Sequence, residues 1–202
     1  MIRELFSVRV YQGEFAVDDA TRESMRACAL DSCARHNLHG MPWSRENRSN
    51  ILTAPESGDI FNTLSNEIRR VVVDHYGCTP LTMTAREVVV KAGQFIPLHV
   101  ESTELSAIYW IAGAPNPQPH QQNYAGALAL VNPSGAFGAR KLPWEGWRSE
   151  LIHPKAGTLV VFPSYLAHHS HPYNGEEPSV ELHFEISLNP SDMTRKIHHA
   201  DR

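Results

Sequence analysis

Cysteine is scarce in this chain. Cys28, Cys33 and Cys78 stand among 202 residues, an odd number without CxxC spacing. That excludes a disulfide-stapled secreted framework and a thiolate metal site, and it suits a reducing, cytoplasmic setting. Long apolar runs are missing as well. No stretch approaches the ~20 residues of a membrane helix. The opening "MIRELFSVRVYQGEF" mixes charges into its apolar residues and does not read as a signal peptide. Nor is there a basic run longer than the pair Arg69–Arg70. With 18 Lys and Arg against 22 Asp and Glu, the net charge of −4 argues against nucleic acid as a partner. Oligomeric state is open to the sequence, with a dimer plausible.

What is present is an ordinary globular composition, 42% hydrophobic, at a length that suits one domain over residues 1–202. There is no internal repeat and no low-complexity tract. Residues 1–80 read as a strand and helices, 81–190 as a β-rich core, and 191–202 as a tail. "LFSVRVYQGEF" (5–15) alternates loosely, as an opening strand does. Asp18 and Asp19 then stand as N-caps before Met25, Cys28, Ala29 and Cys33 at helical spacing, which predicts a helix ending near Asn37. A loop follows over 41–58. Ile60, Leu64, Ile68, Val71 and Val72 form the stripe of a second helix that Gly77 stops.

After Pro80 the texture changes to short strand-like runs separated by turn residues. There are eight: "AREVVVKAG", "FIPLHVES", "LSAIYWIAG", "GALALVNP", "RSELIHP", "GTLVVFPS", "AHHSHPY" and "VELHFEISL". Eight short antiparallel strands suit a double-stranded β-helix, the jelly roll of cupin-like proteins, with the two helices packed on one sheet.

Histidine is the abundant functional type, at 12 residues. His36, His39, His75, His198 and His199 read as surface groups. "PLHVES" is different. His99 and Glu101 are two residues apart, and on a strand such residues project to one side. By itself an HxE is also what any polar strand face looks like. A histidine from "AHHSHPY", on a neighbouring strand of the roll, would complete a two-His, one-carboxylate set. That set leaves coordination positions open and marks non-haem Fe(II) oxygenases.

"LHVESTELSAIYWIAG" and "PKAGTLVVFPSYLAHHSHPYNGEE" together resemble the iron(II)/2-oxoglutarate-dependent oxygenases. They are most similar to a small 2OG-Fe(II) oxygenase family related to prolyl hydroxylases, over most of the chain and most strongly over residues 157–168. The resemblance implies Fe(II), with His99, Glu101 and His168 as ligands, 2-oxoglutarate, and O2 as co-substrate. Aspartate is commoner than glutamate at the position of Glu101. His169 is expected to face away from the site. His171, near the strand end, is a further candidate. Tyr109 and Trp110 take the place of paired aromatics, so Tyr109 is expected to contact the co-substrate.

One part of the family pattern is broken. An arginine on the eighth strand, with a serine two residues on, holds the distal carboxylate of 2-oxoglutarate in such proteins. The counterparts here are Ser179 and Glu181. "SVELHFEI" alternates, so Val180, Leu182, Phe184 and Ile186 are expected on the packed side and Ser179, Glu181, His183 and Glu185 on the pocket side. Replacement cations are Lys91, Arg86, Arg140, Lys141, Arg148 and Lys155, with Lys91 favoured. Glu181 and His183 would meet an amine-bearing substrate or a second metal. Trp144 and Trp147 could line the mouth, and Asn123 and Tyr124 a lid. Ser164 has no base placed to make it a nucleophile.

The expected activity is a non-haem iron dioxygenase that oxidises a small-molecule C–H bond by hydroxylation, desaturation or cyclisation. The alternatives are a 2-oxoglutarate-independent iron oxidase or oxygenase, with one metal or two, and a non-enzymatic jelly-roll protein that binds a ligand.

Overall fold

The computed structural model describes residues 8–35, 50–54, 57–113, 123–134 and 148–195. In chain order these form β1 (Tyr11–Glu14), α1 (Asp19–Arg35), α2 (Asn62–Val71) with one π turn (Val72–Tyr76), and then β2 (Pro80–Val90) and β3 (Leu105–Ala112). There follow β4 (Leu128–Val131), β5 (Ser149–Ile152), β6 (Thr158–Pro163), β7 (His168–Ser170), β8 (Ser179–Leu188) and α3 (Pro190–Arg195). The strands make two antiparallel sheets, ordered β1-β6-β3-β8-β2 and β5-β4-β7. This is the mainly β jelly roll that the strand pattern predicts.

Local chemistry accounts for the helices. Asp18 caps α1 by accepting the Thr21 backbone N–H on Oδ1 at 2.9 Å. Gly77, at φ 64°, ends the π turn in the left-handed conformation that glycine adopts without a steric penalty. Met25 and Ala29 of α1, with Leu64, Ile68 and Val71 of α2, pack on the large sheet against Met83, Ala85, Ala107, Leu182, Phe184 and Ile186. The opposite face of that sheet looks into the roll. There Ile108, Trp110, Val160 and Phe162 meet Leu128, Leu130 and Ile152 of the small sheet. Among the described residues no helix is long and apolar enough to cross a membrane, and the three cysteines form no disulfide.

The strand count differs in detail from the expected one. The eighth strand is β1, and "FIPLHVES" is not regular: it pairs through one bridge, His99 with His168. Pro97 has no N–H to give a ladder, which limits pairing to the residues around it. The opening strand is shorter than 5–15, and the described part of α1 ends at Arg35. β2 begins earlier than expected, at Pro80.

Candidate metal centre

The bridge between His99 and His168 builds the site. His99 N–H donates to the His168 carbonyl at 3.0 Å, and His168 N–H returns the bond at 2.9 Å. Ser170 N–H bonds Ile96 O and Glu101 N–H bonds Ser164 O, both at 3.0 Å, so the segment around residues 96–101 lies along β7. Directly opposed residues hold their side chains together. The two imidazole rings are 4.2 Å apart between centroids. Glu101, two residues on, shares their side, with His99 Nε2 at 3.4 Å from its Oε1. One ligand atom from each of His99, Glu101 and His168 lies within 4.8 Å of the others.

The ring contacts of both histidines suit coordination. Nδ1 of His99 lies 2.8 Å from Pro97 O, and Nδ1 of His168 lies 2.9 Å from Leu166 O. A carbonyl only accepts, so each Nδ1 carries the proton and donates. Each Nε2 keeps its lone pair for an ion, the outer support that metal-binding histidines ordinarily have. Burial holds His168 far below the ordinary range, at about 3, helped by the neighbouring His99. Its ring is neutral at any working pH, as a metal ligand must be. Two imidazoles and one carboxylate on one side of an ion fit iron(II) and leave its other positions open.

Around this centre the interior wall is polar. On β8, Val180, Leu182, Phe184 and Ile186 enter the helix-side core, as the alternation predicts. Ser179, Glu181 and His183 are buried on the other face. His183 Nε2 and Glu181 Oε2 are 2.8 Å apart, and Ser179 Oγ donates to Ala112 O at 3.1 Å. Burial pushes the Glu181 carboxyl up to about 7, against the opposing pull of the nearby Trp110 and Ser179. Trp110, opposite Glu181 in the β3–β8 pairing, is buried on this wall with its indole N–H close enough to Glu181 to favour the ionised carboxylate. Among the described residues no second group of three such ligands forms, so Glu181 and His183 stand as a pair.

Several sequence candidates lie elsewhere. Tyr109 faces the helices, where its hydroxyl donates to Phe15 O at 3.2 Å, and Trp110 takes the interior instead. Lys91 is exposed past the end of β2. His169 points away from the centre, as expected, and His171 lies with it, the rings 5.3 Å apart, stacking on Tyr124 at 4.5 Å. Arg148 is exposed. Lys155 pairs with Glu14 at the surface. Arg140, Lys141, Trp144 and Trp147 lie outside the described residues.

The residue that sequence reasoning undervalued is Arg86. It shares the inward face of β2 with Val88 and Val90, and its Nη2 donates to Glu101 Oε1 at 2.9 Å. Its Nη1 lies 3.6 Å from Glu185. Among the described residues it is the one cation on the interior wall. The alternation of β2 from Thr84 to Val90 was the signal that could have found it. The keto-acid end of 2-oxoglutarate needs only open metal positions, which this centre has. Its distal carboxylate needs a cation, and Ser179 with Glu181 do not fit that need.

A jelly roll with a two-histidine, one-carboxylate group is the arrangement that non-haem iron oxygenases use. A family model described as "Putative 2OG-Fe(II) oxygenase" matches residues 87–185, from β2 through β8. The match spans just under half of the chain and holds the candidate ligands His99, Glu101 and His168. No curated protein matches it in sequence. Among solved structures, a Pseudomonas putida prolyl-4-hydroxylase is similar at 17% identity, covering 91% of this chain and 90% of that one, with a TM-score of 0.56. SnoK, a non-haem alpha-ketoglutarate-dependent carbocyclase from nogalamycin biosynthesis, is 13% identical over 90% of this chain and 80% of its own, at a TM-score of 0.63. HygX from Streptomyces hygroscopicus, solved with nickel and 2-oxoglutarate bound, is 13% identical over 89% and 83%, at 0.59. At these identities the likeness is one of fold.

Proposed function

We propose that the chain is a mononuclear iron(II) oxygenase that oxidises a C–H bond of a small molecule, with 2-oxoglutarate as co-substrate. His99, Glu101 and His168 hold the ion, and bound iron supplies the activation of dioxygen. The carrying observation is the convergence of three ligand atoms with both imidazole Nδ1 atoms tied back to carbonyls. The chain's own contribution is positional. The ligands take one side of the ion, and Ile108, Trp110 and Phe162 exclude water from the interior behind it. Glu181, held by His183, supports a substrate that presents an amine to this wall. Hydroxylation, desaturation and cyclisation are all open to such a centre.

A second reading has its own observation. With Ser179 and Glu181 where a cation would hold a distal carboxylate, substrate electrons can replace those of 2-oxoglutarate. Anaerobic reconstitution with Fe(II), with and without 2-oxoglutarate, separates the two. The first reading expects a weak visible charge-transfer band on adding the keto acid, then succinate release matched to O2 uptake. Turnover without keto acid would replace it with the second.

A further inference from the structure

We infer that Arg86 is the positioning residue of the metal centre: it tethers the Glu101 carboxylate so that a glutamate, in place of a shorter aspartate, meets the ion in one fixed pose. The inference rests on the metal-centre reading above and concerns a residue outside the ligand set. Glutamate carries one more methylene than aspartate, and with it another rotatable bond to be fixed. Glu101 also sits on a segment that pairs with β7 through one bridge and has no regular strand to stiffen it. Something else must hold the carboxylate.

The guanidinium of Arg86 is placed to do so. It projects from the middle of β2, a strand paired along its length with β8, so its base is rigid. Its side chain is 12% exposed and that of Glu101 is 4% exposed. Nη2 reaches Glu101 Oε1 at 2.9 Å, while Nη1 is braced by Glu185 at 3.6 Å. A planar fork set between two carboxylates has little freedom to turn. The chain Glu185–Arg86–Glu101 therefore ties the ligand segment across the roll to the large sheet. It also compensates the buried Glu101 charge before any ion arrives.

The opposite role is physically distinct: Arg86 would compete with the ion for Glu101. Mn(II), a redox-inert probe, distinguishes them through the electron paramagnetic resonance signal of unbound metal in a titration. A tether predicts that Arg86→Gln weakens Mn(II) binding about tenfold to a hundredfold. Arg86→Lys, which keeps the charge and loses the fork, should lose less. In a Glu101→Gln background, Arg86→Gln should add no further loss, because its effect runs through Glu101. Unchanged or tighter binding by Arg86→Gln overturns the tether, as does an equal loss in both backgrounds. If Arg86→Gln does not fold, Arg86→Lys carries the test, with a severalfold loss expected and none overturning it. His168→Ala is the separate control. If it binds Mn(II) as the parent does, the metal-centre reading has failed and not the tether alone.

Discussion

On the helix side of β8, Val180, Leu182, Phe184 and Ile186 are sealed against α1, α2 and their neighbours. On the other side Ser179, Glu181 and His183 are nearly as deeply buried, yet every one is polar. Burial is thus the same on both faces and chemistry is opposite. An apolar face gains by leaving water, roughly 25 cal/mol per Å². A polar face loses unless each group finds a partner. Ser179, Glu181 and His183 partner one another and Ala112 O in a small network, and they share the interior with the candidate ligands. The lesson is that burial locates the core, while the sign of its cost locates the site.

Four variants can break or sharpen this contrast. The largest effect is expected from His168→Ala on the inner side. It should abolish binding of Fe(II) or Mn(II), read by equilibrium dialysis, and leave the fold intact. Retained stoichiometric metal would remove the centre. Next comes Phe184→Ala on the outer face, which should cost ~3–5 kcal/mol in a urea melt and leave metal affinity nearly unchanged. A matching loss of metal affinity would show that the two faces are not separable.

The third substitution restores what the inner face lacks. Ser179→Arg combined with Glu181→Ser should tighten 2-oxoglutarate binding to the anaerobic iron form about tenfold, measured calorimetrically. No change would mean that the acidic wall is not where the distal carboxylate lies. The smallest effect concerns pH. The folded Glu181 carboxyl, at about 7, lies above its ordinary 4.5. Between those values the native state binds more protons than the unfolded one, so stability falls as pH rises through that window. The cost is fully present above it. Glu181→Gln should therefore gain on the parent by ~1 kcal/mol between pH 5 and pH 6, read as a difference in thermal midpoint. A constant offset across that range would locate the proton elsewhere.

How far the sequence carried these conclusions depended on periodicity. "SVELHFEI" alternates without a break, and its two faces lie as read. HxE spacing put His99 and Glu101 on one side, because a two-residue repeat holds even in a segment with one bridge, while the choice of His168 among the histidines of β7 came from the family resemblance. β3 offered no such guide. "LSAIYWIA" is apolar on both faces, and a strand buried on both sides does not say which aromatic looks inward. Both Tyr109 and Trp110 fit the paired aromatics and Tyr109 is the one expected at the co-substrate, yet the fold turns Tyr109 to the helices and Trp110 inward. Arg86 and Lys91 are five residues apart and opposite in fate, since the end of β2 exposes one and its middle buries the other. No local pattern announces where a strand leaves its sheet.

The single bridge between His99 and His168 has one more consequence. Because three backbone hydrogen bonds tie residues 96–101 to β7, an ion gripped from both sides would be a further rivet of that seam. Stripping it with a chelator should speed amide deuterium uptake there first, while the amides of β8 keep their pace.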